Sequence, residues 1–292
     1  MTLLQAILLG IVQGLTEFIP ISSTAHLVLA SRVMNLALTP EQLTSSIAVI
    51  QLGTLLAVCM YFAGDIWNIT LAFVHDHFVL LKDGRRDQFN RTNAHARLSH
   101  DAWLGWFVII GSVPVAVVGL AFKKQIEGTF TKNLWVIATM MIAVALLLAI
   151  AEMVGKKRRR MQDLGIGDAL AVGFAQCLAL IPGSSRSGST IMAGLFAGET
   201  RETAARFSFL LSIPAVAASG LLELKEAVHR LPHDSLTTLA VGTIVSGLVG
   251  YASIWFLLRF LRTHTTGVFI GYRLIVGTLI LIMLLNGRIS PL

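Results

Sequence analysis

Charge is what this chain has least of. Of 292 residues only 13% are charged, about half the share found in soluble domains. That scarcity excludes an ordinary soluble globular domain. Cysteine is nearly absent too. Cys59 and Cys177 both sit in apolar sequence, which excludes a disulfide framework and gives no metal-binding spacing. The run from Met1 to Ile19 lacks the basic start of a secretory signal and carries Gln13 and Glu17 in its second half. It is therefore read as part of the fold rather than as a cleaved leader.

The apolar runs dominate what remains. Mean hydropathy is +0.74. Stretches such as Leu104–Phe122, Leu134–Ala151, Leu236–Leu258 and Val268–Leu285 are long enough to cross a hydrocarbon layer about 30 Å thick. A backbone in lipid must satisfy its own hydrogen bonds, which makes these runs helices. The fold class expected is an all-α polytopic membrane protein. The net charge of +7 and pI near 9.8 are then read as anchoring and orienting charge among membrane lipids. No nucleic-acid partner is expected.

The basic residues sort by loop. Lys82, Arg85, Arg86, Arg91 and Arg97 fall in 75–101, and Lys156, Lys157, Arg158, Arg159 and Arg160 fall in 154–167. Both loops are expected on the cytoplasmic side. The loop between them, about 123–132, has Lys123, Lys124 and Lys132 and is expected outside. Arg201, Arg206, Arg259 and Arg262 then fall inside, and both termini outside.

Two stretches look alike. Gln13 to Ala25 reads QGLTEFIPISSTA, and Gln176 to Ser187 reads QCLALIPGSSRS. A proline followed by small polar residues breaks a membrane helix, and the freed backbone must then line protein or water. Segments 2–36 and 168–198 are read as re-entrant helical hairpins. The first repeat, 1–153, adds spans at about 45–74, 102–122 and 133–153. The second, 168–292, adds about 202–222, 236–261 and 267–286. The charge count makes the pair an inverted-topology repeat whose broken helices meet near the midplane.

Helix N-termini carry unpaired N–H groups and partial positive charge, so two converging ends make an anion site. Ser22 and Ser184 are the N-cap candidates. In the second motif Gly183 and Gly188 permit close backbone approach. Ser184, Ser185, Ser187 and Thr190 add hydroxyls, and Arg186 adds a permanent charge shaped for phosphate. Gln13 and Glu17 share a helix face, as do Ser23 and His26. The first motif thus offers a carboxylate, a hydroxyl nucleophile and an imidazole. Glu17 is placed as base to Ser23, as a cation ligand, or both. His26 is placed as acid to the leaving group or as the attacking atom. Blander readings stand beside these: small residues for helix packing, Glu17 paired with Arg186 for stability, and His26 bonded to a backbone carbonyl. The close glycines Gly247 and Gly250, and Gly267 and Gly271, suit internal packing or a homodimer.

The stretch from Gln13 to His26, QGLTEFIPISSTAH, resembles the (E/Q)xxxE and Ser-Ser-Thr-x-His motifs of the undecaprenyl-diphosphate phosphatases of the bacitracin-resistance type. Pro182 to Thr190 is similar to that family's PGxSRSGxT motif at every fixed position. Gln51-Leu-Gly-Thr, Phe207-Ser-Phe-Leu-Leu and Tyr272-Arg273 extend the likeness over nearly the whole chain. The resemblance implies hydrolysis of a prenyl diphosphate lipid to its monophosphate and a place in the bacterial inner membrane, with the site facing the periplasm. It also implies a role in resistance to bacitracin and dependence on a divalent cation (Mg2+ or Ca2+), with Glu17 as a ligand. By position, Glu17, Ser23, His26 and Arg186 are the expected catalytic residues. Gln13, Ser22, Thr24, Ser184, Ser185, Ser187 and Thr190 are expected around the phosphates. The pattern does not decide between Ser23 and His26 as nucleophile; Ser23 is taken here. Gln13 departs from a carboxylate at that position, which weakens any two-carboxylate metal site.

Two rival readings follow from the same residues. Inverted repeats with broken helices are also transporter architecture, so a lipid-phosphate transporter or flippase is the main alternative. An acid-phosphatase-like lipid phosphatase needs an Arg-Pro motif and a histidine soon after Ser-Arg. The chain has no Arg-Pro, and the first histidine after Arg186 is His229.

Overall fold

The computed structural model describes residues 1–36, 38–83, 98–122, 126, 132–230 and 233–291. Arg85, Arg86, Arg91, Arg97, Lys123 and Lys124, part of the charge count above, lie outside the described residues. The helices run in the order α1 (Leu3–Phe18), α2 (Ser23–Val33), α3 (Pro40–Tyr61), α4 (Ala63–Asp83), α5 (His100–Ala121), α6 (Leu134–Val154), α7 (Ile166–Cys177), α8 (Arg186–Phe196), α9 (Arg201–Arg230), α10 (His233–Thr263) and α11 (Gly267–Leu285). Among the described residues there is no strand, only one bridge pairing Arg159 with Glu199. Among the described residues six helices are long and apolar enough to cross a membrane: Gln42–Tyr61, His100–Ala121, Leu134–Val154, Arg201–Lys225, Leu236–Thr263 and Gly267–Leu285. The chain is an all-α, multi-pass membrane protein. The apolar stretch read as 45–74 comprises most of α3 and the first half of α4, with a break at Phe62.

Local chemistry sets the starts. Thr2 and Gln5 form a reciprocal capping box at α1, and Thr39 and Gln42 form another at α3 behind Pro40, each satisfying two otherwise unpaired N–H groups. The short helices α1 and α7 stop ahead of Pro20 and Pro182, whose rings cannot continue the N–H ladder.

Helix α1 packs on α10, and α10 on α3. A Cβ added at Gly10 would lie 2.4 Å from Gly242 O, and one at Gly53 would lie 1.9 Å from Thr243 O. These helices touch backbone to backbone, as small residues allow in lipid. Gly247 and Gly250 belong to this internal contact, against Gly53 and Thr54. Gly271 faces open space.

At the end carrying the 154–167 loop, the chain is strapped down. The Arg158 and Arg159 N–H groups donate to Gly198 O, and Thr200 N–H donates to Arg159 O. The Arg159 guanidinium grips Asp168 at 2.5 and 2.6 Å. Beneath it Glu199 is fully buried, and neither carboxyl oxygen has a hydrogen-bond partner among the described residues. Burial, reinforced by Asp168 and opposed by Arg159, pushes its pKa up to about 7. Gly194 must be small here, since a Cβ would sit 2.6 Å from Glu199 Oε2.

Candidate active site

Both breaks restart in the same way. Ser22 has φ 78° and its hydroxyl accepts the Ala25 N–H; Ser185 has φ 69° and accepts the Gly188 N–H. A non-glycine residue at such φ costs about 1–3 kcal/mol and persists only where its surroundings enforce it. Ser22 is the cap that the spacing predicts. In the second motif the cap is Ser185, one residue beyond Ser184, because Gly183 (φ 90°) already turns the chain. Only glycine fits there: a Cβ would lie 2.2 Å from Ile137 O.

Glu17 sits in the last turn of α1, buried, and gathers four donors. Oε2 accepts from Ser23 Oγ at 2.9 Å and from Gln13 Nε2 at 3.0 Å. Oε1 accepts from Arg186 Nη2 at 2.9 Å and from Gln51 Nε2 at 3.1 Å. One carboxylate therefore joins both breaks and α3. The predicted ion pair with Arg186 is present, and so is the hydroxyl that a base needs within reach. Arg186 also donates to Ser208 O at 3.3 Å. Thr190, whose hydroxyl donates to Arg186 O at 2.8 Å and pairs with Ser208 Oγ at 2.6 Å, fixes the first turn of α8.

His26 engages other partners. Its Nδ1 is 2.7 Å from Ser22 O and its Nε2 is 2.6 Å from Tyr272 Oη, with the two rings stacked. The backbone-bonded reading of His26 is thus realised at one nitrogen, leaving the other to the tyrosine. Thr24 is half-buried beside the cluster in sequence, and Ser23 and His26 are likewise half-buried. Ser184, Ser187, Ser189 and Thr190 are fully buried. Ser187 Oγ bridges the breaks by donating to Ile19 O at 3.3 Å, and it also lies 3.2 Å from Ser185 Oγ. Gly188 is flanked by Ser185 and Arg273. A narrow recess with no room for a water molecule adjoins the cluster, lined by polar Glu17, Thr54, Arg186 and Ser212 and by apolar Phe18, Leu55, Val58 and Val216.

Arg273 was not singled out in the sequence beyond the likeness of Tyr272-Arg273. Fully buried in α11, it donates to Pro20 O at 3.3 Å in the first break and to Gly183 O and Ser184 O at 3.0 Å in the second. Met140 O and Met141 O complete its shell. It ties the two chain breaks together through their free carbonyls. The rule that an intramembrane ionisable residue is functional by default is the signal that finds it. Gln51 and Thr54 were likewise given no role, although Thr54 Oγ1 donates to Gln51 O at 2.7 Å and accepts from Gln13 at 3.5 Å.

The residues do not form a ready metal centre. Both Glu17 oxygens are occupied by donors, Gln13 contributes an amide, and no group of three His, Cys, Asp or Glu residues suited to a metal occurs among the described residues. Glu17 is the only carboxylate of the cluster.

Residues 6–279 match the family described as bacitracin resistance protein BacA. The chain is 52% identical to an undecaprenyl-diphosphatase of Syntrophobacter fumaroxidans, over 97% of this chain and 98% of that protein. It is 46% identical to undecaprenyl-diphosphatases of Mycolicibacterium gilvum, over the whole of both chains, and of Chloroherpeton thalassium, over 99% of each. A likeness that takes in both breaks and every spanning helix leaves one conclusion: the chain belongs to the BacA, or bacitracin resistance protein, family.

Proposed function

We propose that the chain hydrolyses undecaprenyl diphosphate to undecaprenyl phosphate and inorganic phosphate, with the two breaks as its active site. The observation that carries this reading is the Glu17 cluster. One carboxylate holds a serine hydroxyl at 2.9 Å and, on its other oxygen, an arginine at 2.9 Å from the opposite break. Base, nucleophile and anion-binding charge meet at one point, beside a recess with both polar and apolar walls. The relatives are named for this reaction.

In the proposed reaction Glu17 takes the Ser23 proton as Oγ attacks the terminal phosphorus. The bond from that phosphorus to the bridging oxygen breaks, and prenyl monophosphate leaves. Arg186, the hydroxyls of Ser184, Ser185, Ser187 and Thr190, and the N–H groups opening α2 and α8 stabilise charge on the transferring group, where most phosphoryl-transfer catalysis resides. Water then hydrolyses the phosphoserine: the His26 imidazole left neutral by the first step takes a proton from the water as Glu17 returns its own to the departing Ser23 Oγ. His26, poised by Tyr272, is the proton donor to the leaving oxygen. The divalent cation implied by the resemblance is proposed to arrive on the diphosphate rather than on a site prebuilt by the protein.

We also propose that the halves are inverted repeats, on the strength of the matched serine caps, and that the protein lies in the bacterial inner membrane. The charge count supports a cytoplasmic side at loops 75–101 and 154–167 and a site facing the periplasm. A homodimer, if the glycines serve one, uses the open Gly271 face, since Gly247 and Gly250 are occupied internally.

The test is phosphate release from a C55 or C15 prenyl diphosphate by detergent-purified protein, with and without EDTA. Release by wild type is the expected result. Its absence under every divalent cation would overturn the reading in favour of lipid transport.

A further inference from the structure

Helix α4 carries an apolar face that no described residue covers. Trp67, Leu71, Val74, Phe78 and Leu81 recur at spacings of four and three, which puts them on one side of the helix. They are 64%, 50%, 62%, 65% and 72% exposed. The other side packs on the bundle. Ile69 meets Leu104 and Phe107, Phe73 covers Gly105, and Trp106 donates to His77 at 3.1 Å.

The helix does not join the six candidate spans, and its anchor points show why. Asp65 pairs with Arg206 at 2.8 Å, near the start of α9. Ile69 and Met161 of the 154–167 loop both border the buried cluster of Leu104, Phe107 and Leu164. Asp76 accepts the N–H of Ser99, the cap of α5, at 2.8 Å. From Asp76 onward α4 therefore runs past the first residue of a spanning helix, for about 10 Å at 1.5 Å per residue. This places the far half of the apolar stripe at the rim of the bundle, beyond the apolar core. Trp67 and the partly exposed Trp103 stand at the same end, the depth at which tryptophan collects in membranes.

We propose that α4 lies against the membrane surface at this end, its stripe seated between acyl chains and headgroups, and that the occupant is anionic phospholipid. An amphipathic helix with low net hydrophobicity and basic company binds such a surface. The charge is in the sequence. From Lys82 to Arg97 there are five cations, Lys82, Arg85, Arg86, Arg91 and Arg97, against Asp83 and Asp87. The run Lys156–Arg160 precedes Met161, which borders the same buried cluster as Ile69 of α4. Basic segments at a membrane face are drawn to anionic headgroups. The inference stands apart from the phosphatase reading and gives the basic segment after α4 a role.

The full-length protein, with Cys59→Ala and Cys177→Ala, would carry one nitroxide at a time at positions 68, 74, 75 or 78. It would be reconstituted in phosphatidylcholine, with or without phosphatidylglycerol. Collision with oxygen is compared with collision with a water-soluble nickel chelate. Labels at 74 and 78 are expected to favour oxygen several-fold over those at 68 and 75, more strongly with phosphatidylglycerol, and 1 M salt should remove that added preference. Nickel access at 74 and 78 equal to that at 75 in both lipids would overturn the seating. Dipolar broadening between labels on different molecules would assign the stripe to a second copy instead. Equal shielding with and without phosphatidylglycerol would overturn the anionic lipid as occupant. Phosphate release, measured in parallel, reports separately on the active site.

Discussion

The two breaks share a serine cap at positive φ, yet they are furnished differently. The first exposes its reactive groups in part: Ser23, Thr24 and His26 are half-buried. The second is closed, with Ser184, Ser187, Ser189 and Thr190 wholly inside, and offers one charge, Arg186, to the other side. A break that must meet a substrate keeps open side chains. A break that must hold a shape draws its hydroxyls inside: Ser187 and Thr190 are hydrogen-bonded there, while Ser184 Oγ and Ser189 Oγ have no partner among the described residues. In the proposed reaction the comparison divides labour: reacting groups before and after Pro20, a rigid cradle after Pro182. Glu17 is where the two meet.

Removing that meeting point should have the largest effect. Arg186→Ala and Glu17→Gln are each expected to lower kcat by about 10³-fold while the detergent-solubilised protein keeps its Tm within a few degrees. Activity near wild type in either variant would break the comparison. Next comes the tie between the breaks. Arg273→Ala leaves several buried carbonyls unpaired, at about 1–3 kcal/mol each. It should lower both Tm and kcat, with KM changing less. Arg273→Lys should restore part of the stability but not the activity, because an ammonium cannot reach both breaks as the planar fork does.

The cradle is also held from its far end, where α8 runs into the strap over Glu199. The carboxyl there titrates near 7, above its ordinary range near 4.5. Between those values the folded protein keeps a proton that the unfolded chain has released. Stability therefore falls as pH rises from about 4.5 to about 7, by an amount of order 2 kcal/mol, and is level above. Thermal denaturation at pH 5 and pH 7.5 should show the drop in wild type and little of it in Glu199→Gln. The smallest effects belong to the caps themselves. Ser22→Ala and Ser185→Ala should each cost about 1 kcal/mol of stability, with the more enclosed Ser22 the more sensitive by Tm.

Much of this was legible beforehand because membrane chemistry leaves few options. Long uncharged runs must be helices, and a proline followed by serines must be a break, so the fold class and the facing of the two motifs could be read. Glu17 and Arg186 were readable because an ionisable residue is costly in lipid without a task, and Ser23 because it follows the Pro20 break beside them. Other features were hidden. The kink at Phe62 lies inside one continuous apolar stretch, and only the polar company of Asp65, Asp76 and His77 hints that α4 does not join the candidate spans. The move of the cap from Ser184 to Ser185 depends on Gly183 turning against the Ile137 carbonyl, a contact between distant segments. Arg273 is far in sequence from both motifs it ties, so no local pattern gives its role.

The account rests most heavily on Ser23 as the group that Glu17 activates. The direct measurement is acid quenching of the enzyme during turnover of prenyl diphosphate labelled in its terminal phosphate, followed by mapping of protein-bound label. Label that survives acid, maps to Ser23, is lost in Ser23→Ala and is retained in His26→Ala is the predicted result. Acid-labile label that persists in Ser23→Ala and disappears in His26→Ala would contradict the account and make the imidazole the attacking group.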